Sequence, residues 1–236
     1  MSQEEFLDGF DYRYPGPDRG AATPFAVHLA AAPSPFEAGH HLLRVGVQGL
    51  RIAASRIASG EEVDVVASGV KIQVDFNPGV VRRYRLLGYE DNDTRIDVGE
   101  LGAGHSVTAV YDMILASTAS SPVTVRIRHR AVFGNEAARE SVFALSPRAI
   151  APSFDAAPTS LRLAAAVSGF AEILRKSPDS EAWRLADVER IAGASAGSDK
   201  QVQTLATLVH AARSLDDVRL ATRWSGRVAD ASLMGF

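Results

Sequence analysis

The sequence predicts an α+β protein, an antiparallel β-sandwich over residues 1–150 followed by a small C-terminal helical bundle over residues 151–236. Two observations carry this. Through the first part, short apolar/polar alternations of period two are separated by Gly, Pro and Asn turns, with no helical stretch between them. Near Pro152 the apolar spacing changes to that of helices, with a hinge between Ala149 and Pro158. Strands that follow one another without intervening helices pair antiparallel and bury one face against a second sheet.

The first 24 residues, rich in Tyr, Pro, Gly and Asp, predict an extended lead-in that Tyr12 and Tyr14 anchor by packing on a sheet. Phe25, Val27 and Leu29 alternate with Ala26, His28 and Ala30 until Pro33 and Pro35 end the run. In Leu42–Leu50, Leu43, Val45 and Val47 share one face. Gly69–Phe76 is the clearest strand: Val70, Ile72, Val74 and Phe76 point one way, Lys71, Gln73 and Asp75 the other. After the turn Asn77-Pro78-Gly79, Arg83–Tyr89 is expected as its partner strand, and Glu90–Arg95 as a polar loop. Ser106–Ile114, Val123–His129 and Glu140–Leu145 complete the strands.

Behind Pro152, a helix is expected over Thr159–Leu174, with Leu163, Val167, Phe170 and Leu174 on one stripe and a cap from the Thr159 or Ser160 hydroxyl. A second helix is expected over Ala186–Ala194. A third starts after Ser198 and turns Val202, Leu205, Val209 and Ala212 inward. Three short helices make a bundle docked on the sandwich.

Composition narrows the function classes. The net charge is −3, so the chain has no electrostatic footprint for nucleic acid or an anionic membrane. There is no cysteine, which excludes disulfides, thiolate metal sites and cysteine nucleophiles. The acidic N-terminus lacks the apolar core of a signal peptide, and no run reaches the ~20 apolar residues of a membrane span, so the chain is expected to be soluble.

Candidate chemistry is sparse. Of six histidines, only His40-His41 form a pair, and Glu37 is the nearest further ligand; a metal there needs a group the spacing does not supply. His28, His129 and His210 are read as structural. In Glu90–Asp97, Asp91 and Asp93 fit a hard-cation loop, with Asp97 and Glu100 able to help. Arg95 falls where the third oxygen belongs, so the stretch is read as a solvated hairpin loop. Gly99–His105 is glycine-rich but precedes a strand, the wrong order for a phosphate cradle, so its glycines are read as turn residues with positive φ. No nucleophile elbow, zinc-protease, P-loop or dinucleotide motif occurs. Arg82-Arg83 and Arg126, Arg128 and Arg130 are read as solvent faces of strands.

Several strings resemble the YfbK-type bacterial von Willebrand factor A proteins. Val70–Pro78, Tyr84–Glu90 and Asp97–Tyr111 are similar to the region that follows the A domain in that family. Phe10–Pro15, Pro24–Ala26 and Leu42–Gly46 resemble the segment before it, and Leu161–Arg175 and Leu208–Leu215 its closing helices. The resemblance implies a complete A domain between the two flanks, carrying an Asp-x-Ser-x-Ser metal motif. Here only residues 53–68 separate them, far fewer than the ~100–200 of a typical domain. Val63–Gly69 echoes the motif, but Asp64 and Ser68 are four apart, so no residue inherits the metal site. The flanks Leu42–Arg51 and Val70–Phe76 are therefore expected to lie near one another.

The reading that follows is a non-enzymatic scaffold and protein-interaction module, the host frame of such a protein without its metal-binding domain. It assigns no catalytic, cofactor-binding or metal residue. The partner is a protein, and the resemblance implies a cell-envelope or extracytoplasmic setting. The alternatives are a metal-dependent hydrolase using His40/His41 or Asp97, Glu100 and His105, and a structural homo-oligomer using a sandwich edge or the helical stripe.

Overall fold

The period-two alternations become strands, and a computed structural model describes residues 3–18, 20–51, 65–87, 94–131 and 137–233. A short helix α1 (Gln3–Asp8) precedes strands β1 (Phe25–Pro33), β2 (His40–Gly49), β3 (Val65–Phe76), β4 (Val81–Leu87), β5 (Arg95–Gly102), β6 (Ser106–Leu115), β7 (Val123–Ala131) and β8 (Arg139–Ala144). Helices α2 (Thr159–Arg175), α3 (Leu185–Ala196) and α4 (Lys200–Leu233) follow, with 3-10 turns at Pro147–Ala149 and Pro178–Ser180.

The strands form two four-stranded sheets, β1-β2-β6-β4 and β5-β3-β7-β8, with every strand pair antiparallel. The α+β class and the two-sheet arrangement agree with the sequence reading. One core lies between the sheets, where Leu43, Val45 and Val47 of β2 meet Val70, Ile72 and Val74 of β3. A second core lies on the other face of the first sheet, where Leu42, Leu87 and Val110 meet Leu161, Ala164, Ala165 and Val167 of α2, together with the lead-in residues Phe10, Tyr12 and Tyr14. The first sheet is thus the middle of three layers and is covered on both faces.

That position corrects several expectations. The polar side chains Arg44, Gln48, Thr108 and Asp112 of β2 and β6 are all buried, Gln48 against the Gly104–His105 turn. After the Asn77–Gly79 turn the chain does not return beside β3. It crosses to the other sheet, and β4 pairs with β6 instead. The true partners of β3 are β5 and β7. Strand β5 falls on a stretch read as loop and turn; Gly99 does have positive φ, as expected of it, but inside a strand, opposite the irregularity at Ser68–Lys71. Asp91 and Asp93 lie outside the described residues.

The helices differ in detail too. No hydroxyl caps α2: its N-cap is Pro158, without a side-chain cap bond. Nearly every residue from Leu161 to Glu172 is buried, so α2 is a central helix rather than an amphipathic one, and Leu174 is 57% exposed. Helix α4 is not short; it runs 34 residues. Its expected contacts hold at Val202, Leu205 and Val209, which are buried.

Tyr12 and Tyr14 anchor the lead-in as expected, at 4% and 3% exposure. Tyr14 stacks between Tyr12 and His28, and Arg44 lies 4.7 Å above its ring. Its hydroxyl shares a hydrogen bond of 3.0 Å with Thr108 Oγ1, and burial pushes its phenol up to about 12. The ring fits because position 46 has no side chain: a Cβ there would lie 2.6 Å from Tyr14 Cζ. Gly46→Ala is therefore expected to cost about 1–3 kcal/mol, because the ring is too confined to move aside. Urea denaturation measures it. In a Tyr14→Ala background the added methyl should cost almost nothing, and an equal penalty in both backgrounds would refute the contact.

Candidate functional site

Two places gather the groups that the sequence singled out. The first is a polar layer between the middle sheet and the helices. Antiparallel pairing sets Asp112 of β6 opposite both Leu42 of β2 and Arg85 of β4. His40, two residues before Leu42, then shares the face of Asp112. Its Nδ1 lies 2.7 Å from Asp112 Oδ2, and its Nε2 lies 3.4 Å from Glu37 Oε1. Burial pushes the Asp112 carboxyl up, and the His40 contact partly offsets this.

Next to this pair, Arg85 reaches across to α2 and meets Glu172 Oε2 at 2.5 Å. Its Nε lies 3.4 Å from Asp179, which Arg83 also approaches at 3.2 Å. Its guanidinium sits 5.8 Å from the centre of the Trp183 ring. Glu172 is 2% exposed, deep in the core. These contacts staple β4 to the end of α2 and the turn after it. The chain reverses there through Lys176 in the left-handed region, whose N–H bonds the carbonyls of Glu172 and Ile173.

The pair His40-His41 does not act as one unit, because neighbouring residues of a strand point to opposite faces. His41 Nδ1 is buried without a partner, and burial pushes its imidazole below the ordinary value. Among the described residues no group of three or more His, Asp or Glu is disposed to hold a metal ion.

The second set, Asp97, Glu100 and His105, lies elsewhere. His105 follows the β5–β6 turn and borders the Gly49 end of β2, whereas His40 begins that strand. Nine residue steps separate the two ends, roughly 30 Å. Asp97 is exposed on β5 and paired with Lys71 of β3 at 2.9 Å, which holds its carboxyl below the usual range. Glu100 is exposed opposite Ser68. The structure does not bring the two histidine regions together.

What converges at that end is backbone. The Gly49 N–H donates to the His105 carbonyl at 2.9 Å, and the Gly104 N–H donates to the Leu50 carbonyl at 2.9 Å. Buried Gln48 bridges the same turn, its amide donating to the carbonyls of Gly104 and His105 at 2.9 and 3.1 Å. On the other flank, Val65 pairs with Gly102. A Cβ on Gly49 would strike the Gly102 carbonyl and lie 3.3 Å from Val66 Cγ2. The end of β2 and the start of β3, at Val65 rather than at the Val70 expected to open the second flank, therefore meet on the Gly102–His105 turn. Val65–Ser68 belong to β3, not to the link, and Asp64 lies outside the described residues. No motif marks this junction. The signal available was Gly49 and Gly102, small residues where two backbones touch.

The remaining histidines contact other residues of the chain. His28 Nε2 lies 2.8 Å from the Pro15 carbonyl, His129 packs edge-on against Phe25, and His210 pairs with Glu189 at 2.7 Å. Burial pushes His28, His41 and His129 below their ordinary value of 6.5. The unfolded chain then binds protons that the native state refuses as pH falls through about 6.5, so these groups lower stability toward acid. Stability is expected to decline from about pH 7.5 to about 5.5 in denaturation series, and His129→Gln should flatten the decline. An unchanged slope in that variant would remove His129 from the account.

Comparison with known proteins places these features. The family described as "Uncharacterized protein YfbK, C-terminal" matches residues 62–132 and 116–215. The curated relative "Uncharacterized protein YfbK" of Escherichia coli (strain K12) is 28% identical over 166 residues, a match spanning 58% of this chain and 28% of that protein. Among solved structures, the GAE domain of GGA2p from Saccharomyces cerevisiae aligns over 52% of this chain and 88% of its own, at 10% identity and a TM-score of 0.28. An inactive mutant of a GH20 exo-β-N-acetylglucosaminidase from Vibrio harveyi aligns over 54% of this chain and 18% of its own, at 11% identity and a TM-score of 0.29. Such low scores transfer nothing to this fold. The family match covers more than half of the chain, from β3 through the first turns of α4 and so without β1 and β2, and the chain belongs to the YfbK C-terminal family.

Proposed function

We propose that this chain is a non-catalytic scaffold that binds a protein partner, the host frame of a von Willebrand factor A-type protein. The observation that carries the reading is the junction. Chain leaves β2 and re-enters β3 at adjoining points held by one turn, Gly102–His105. An element inserted between such points adds to a host without disturbing its pairing.

The polar groups support a structural role. Arg85, Glu172, Asp112 and His40 connect sheet to helix, and Asp97 is paired on an open face. Each has an ionic or hydrogen-bonded contact with another residue of the chain, while Asp112 Oδ1 and Arg85 Nη2 are buried without a hydrogen-bond partner. No helix among the described residues is long and apolar enough to cross a membrane. An envelope or extracytoplasmic setting belongs to the same proposal and rests on the family likeness.

Photo-crosslinking in the native host tests it. A crosslinking residue at exposed Glu100, beside the junction, should yield a defined protein adduct that one at exposed Arg148 does not. No adduct from the junction end would sink the reading. As a physical check, a small folded domain with adjacent termini inserted between residues 57 and 58 should leave the host's melting transition in place; collapse of the host fold would count against the junction as an insertion point.

A further inference from the structure

We propose that the open face of the second sheet docks an extended acidic segment of the protein partner, held by Arg128 and Arg130 of β7. The proposal rests on the scaffold reading and gives that partner a surface and a chemistry.

The alternation of β7 sets Val125 and Ile127 into the core and Arg126, Arg128 and Arg130 onto the opposite face, where all three are exposed. The helical layer packs on the first sheet, so this face stays uncovered. The register builds rows of charge across it. Lys71 of β3 lies between Asp97 of β5 and Arg128, and Ser68 lies between Glu100 and Arg130.

Most acids of this face are already committed. Asp97 pairs with Lys71 at 2.9 Å. Asp75 and Glu140 both pair with Arg126, at 2.8 and 3.4 Å. Glu140 stands opposite Arg128 in the register, yet its carboxylate turns to Arg126. Glu100 is two strand spacings from Arg130, about 10 Å. Among the described residues, Arg128 and Arg130 are left without an ion pair.

Arg128 also faces Lys71, and like charges directly opposite one another destabilise a sheet. A face that only meets water has no use for that arrangement. An anionic group set over the two cations relieves the repulsion.

Geometry and charge together select the partner. Residues two apart on a strand are about 6.6 Å apart, which is also the spacing of carboxylates on alternate residues of an extended chain. Each guanidinium can then take one carboxylate through paired hydrogen bonds. Asp75, Asp97, Glu100 and Glu140 on the same face, and the net charge of −3, repel a uniform polyanion such as nucleic acid or an anionic membrane. An acidic protein segment with neutral residues between its carboxylates avoids those acids. Arg130 shares the row of Glu100, which places the segment beside the junction where Val65 pairs with Gly102.

The test titrates a labelled peptide of alternating Asp and Thr into the full chain, reading fluorescence anisotropy and backbone amide shifts. Saturable binding is expected, with shifts centred on Lys71 and on Arg128 to Arg130. Arg128→Gln with Arg130→Gln should weaken it about tenfold or more. Arg82→Gln with Arg148→Gln, an equal loss of charge at exposed positions elsewhere, should leave it unchanged. The melting temperature of the first double variant should stay level or rise, because the repulsion with Lys71 is gone; a drop would make these arginines structural and count against the proposal. No saturable binding, equal weakening in the control variant, equal binding of an Asn-for-Asp peptide, or tighter binding of oligothymidylate or phosphatidylserine vesicles would each overturn it. In the native host, Arg128→Gln with Arg130→Gln should also remove the Glu100 crosslink. A retained crosslink leaves the scaffold reading standing and removes this surface, whereas peptide binding without any crosslink in the host does the reverse.

Discussion

Arg85→Met is expected to destabilise the fold by about 3–5 kcal/mol. Glu172 is 2% exposed, and the guanidinium 2.5 Å away is its short ionic contact. Removing that cation leaves a carboxylate in the layer between sheet and helix, where water does not replace the lost interaction. Asp179, the other acid that Arg85 touches, is 44% exposed and stays solvated, so its share of the loss is small. Joint replacement by apolar residues, Arg85→Met with Glu172→Met, should recover most of the stability, because a well-packed apolar pair does not need a counter-charge. Urea denaturation of the two single variants and the double variant gives the coupling directly. Additive losses would mean the ion pair does not carry the contact.

Trp183→Ala is expected to cost about as much, about 3–5 kcal/mol. Trp183 is 4% exposed and stacks on Phe36, with ring centroids 4.5 Å apart and planes 18° apart. Phe36 in turn fills the space at Gly169 of α2, where a Cβ would lie 2.7 Å from Phe36 Cζ. The three form a wedge between the β1–β2 connection and the helices, capped by the Arg85 guanidinium. Losing the indole opens that wedge without touching the core between the sheets. Amide exchange should therefore accelerate in α2 and α3 before it accelerates in β3 and β7. A cost below about 1 kcal/mol, or equal acceleration in both cores, would show that the wedge does not hold the helices in place.

The contrast between β3 and β5 shows how much of the fold is legible in sequence. Val70, Ile72 and Val74 alternate with Lys71, Gln73 and Asp75 because β3 has one dry and one wet face, and that difference is written in residue type. Strand β5 has the same alternation at Ile96 and Val98, but Gly99 interrupts it after two repeats, so it resembles a turn. The partner of β4 was illegible for another reason: a four-residue turn is compatible with return to the same sheet or with crossing to the other, and only the packing of the whole sandwich decides. Strand β2 hid its second core. Arg44 and Gln48 look like solvent-facing residues, yet Arg44 meets Ser160 of α2 and Gln48 meets the Gly104–His105 turn, and each is buried by contacts from residues far away in the chain.

The candidate sites divide the same way. His40-His41 is conspicuous in sequence, but the strand separates the two rings. The groups that do converge, Asp112 with His40 and Arg85 with Glu172, are 72 and 87 residues apart and share no motif. Arg44 and Ser160 lie 116 residues apart. Only the antiparallel register and the docking of α2 bring such pairs together.

The paired irregularity at Gly69 and Gly99 has a consequence for the assembly of the molecule. Strand β5 is an outer strand of its sheet, and its outward groups include Arg95, Asp97 and Glu100. A kinked border carrying alternating charge offers a neighbouring copy no flat ladder to extend, which works against fibre growth from that side. The opposite border, β8, carries Arg139 and Glu140 beside Val142, which is 53% exposed, and has no irregularity in its pairing with β7. Within this sheet, unwanted stacking of copies at high concentration is thus directed toward β8, and a single lysine at Val142 would close that route.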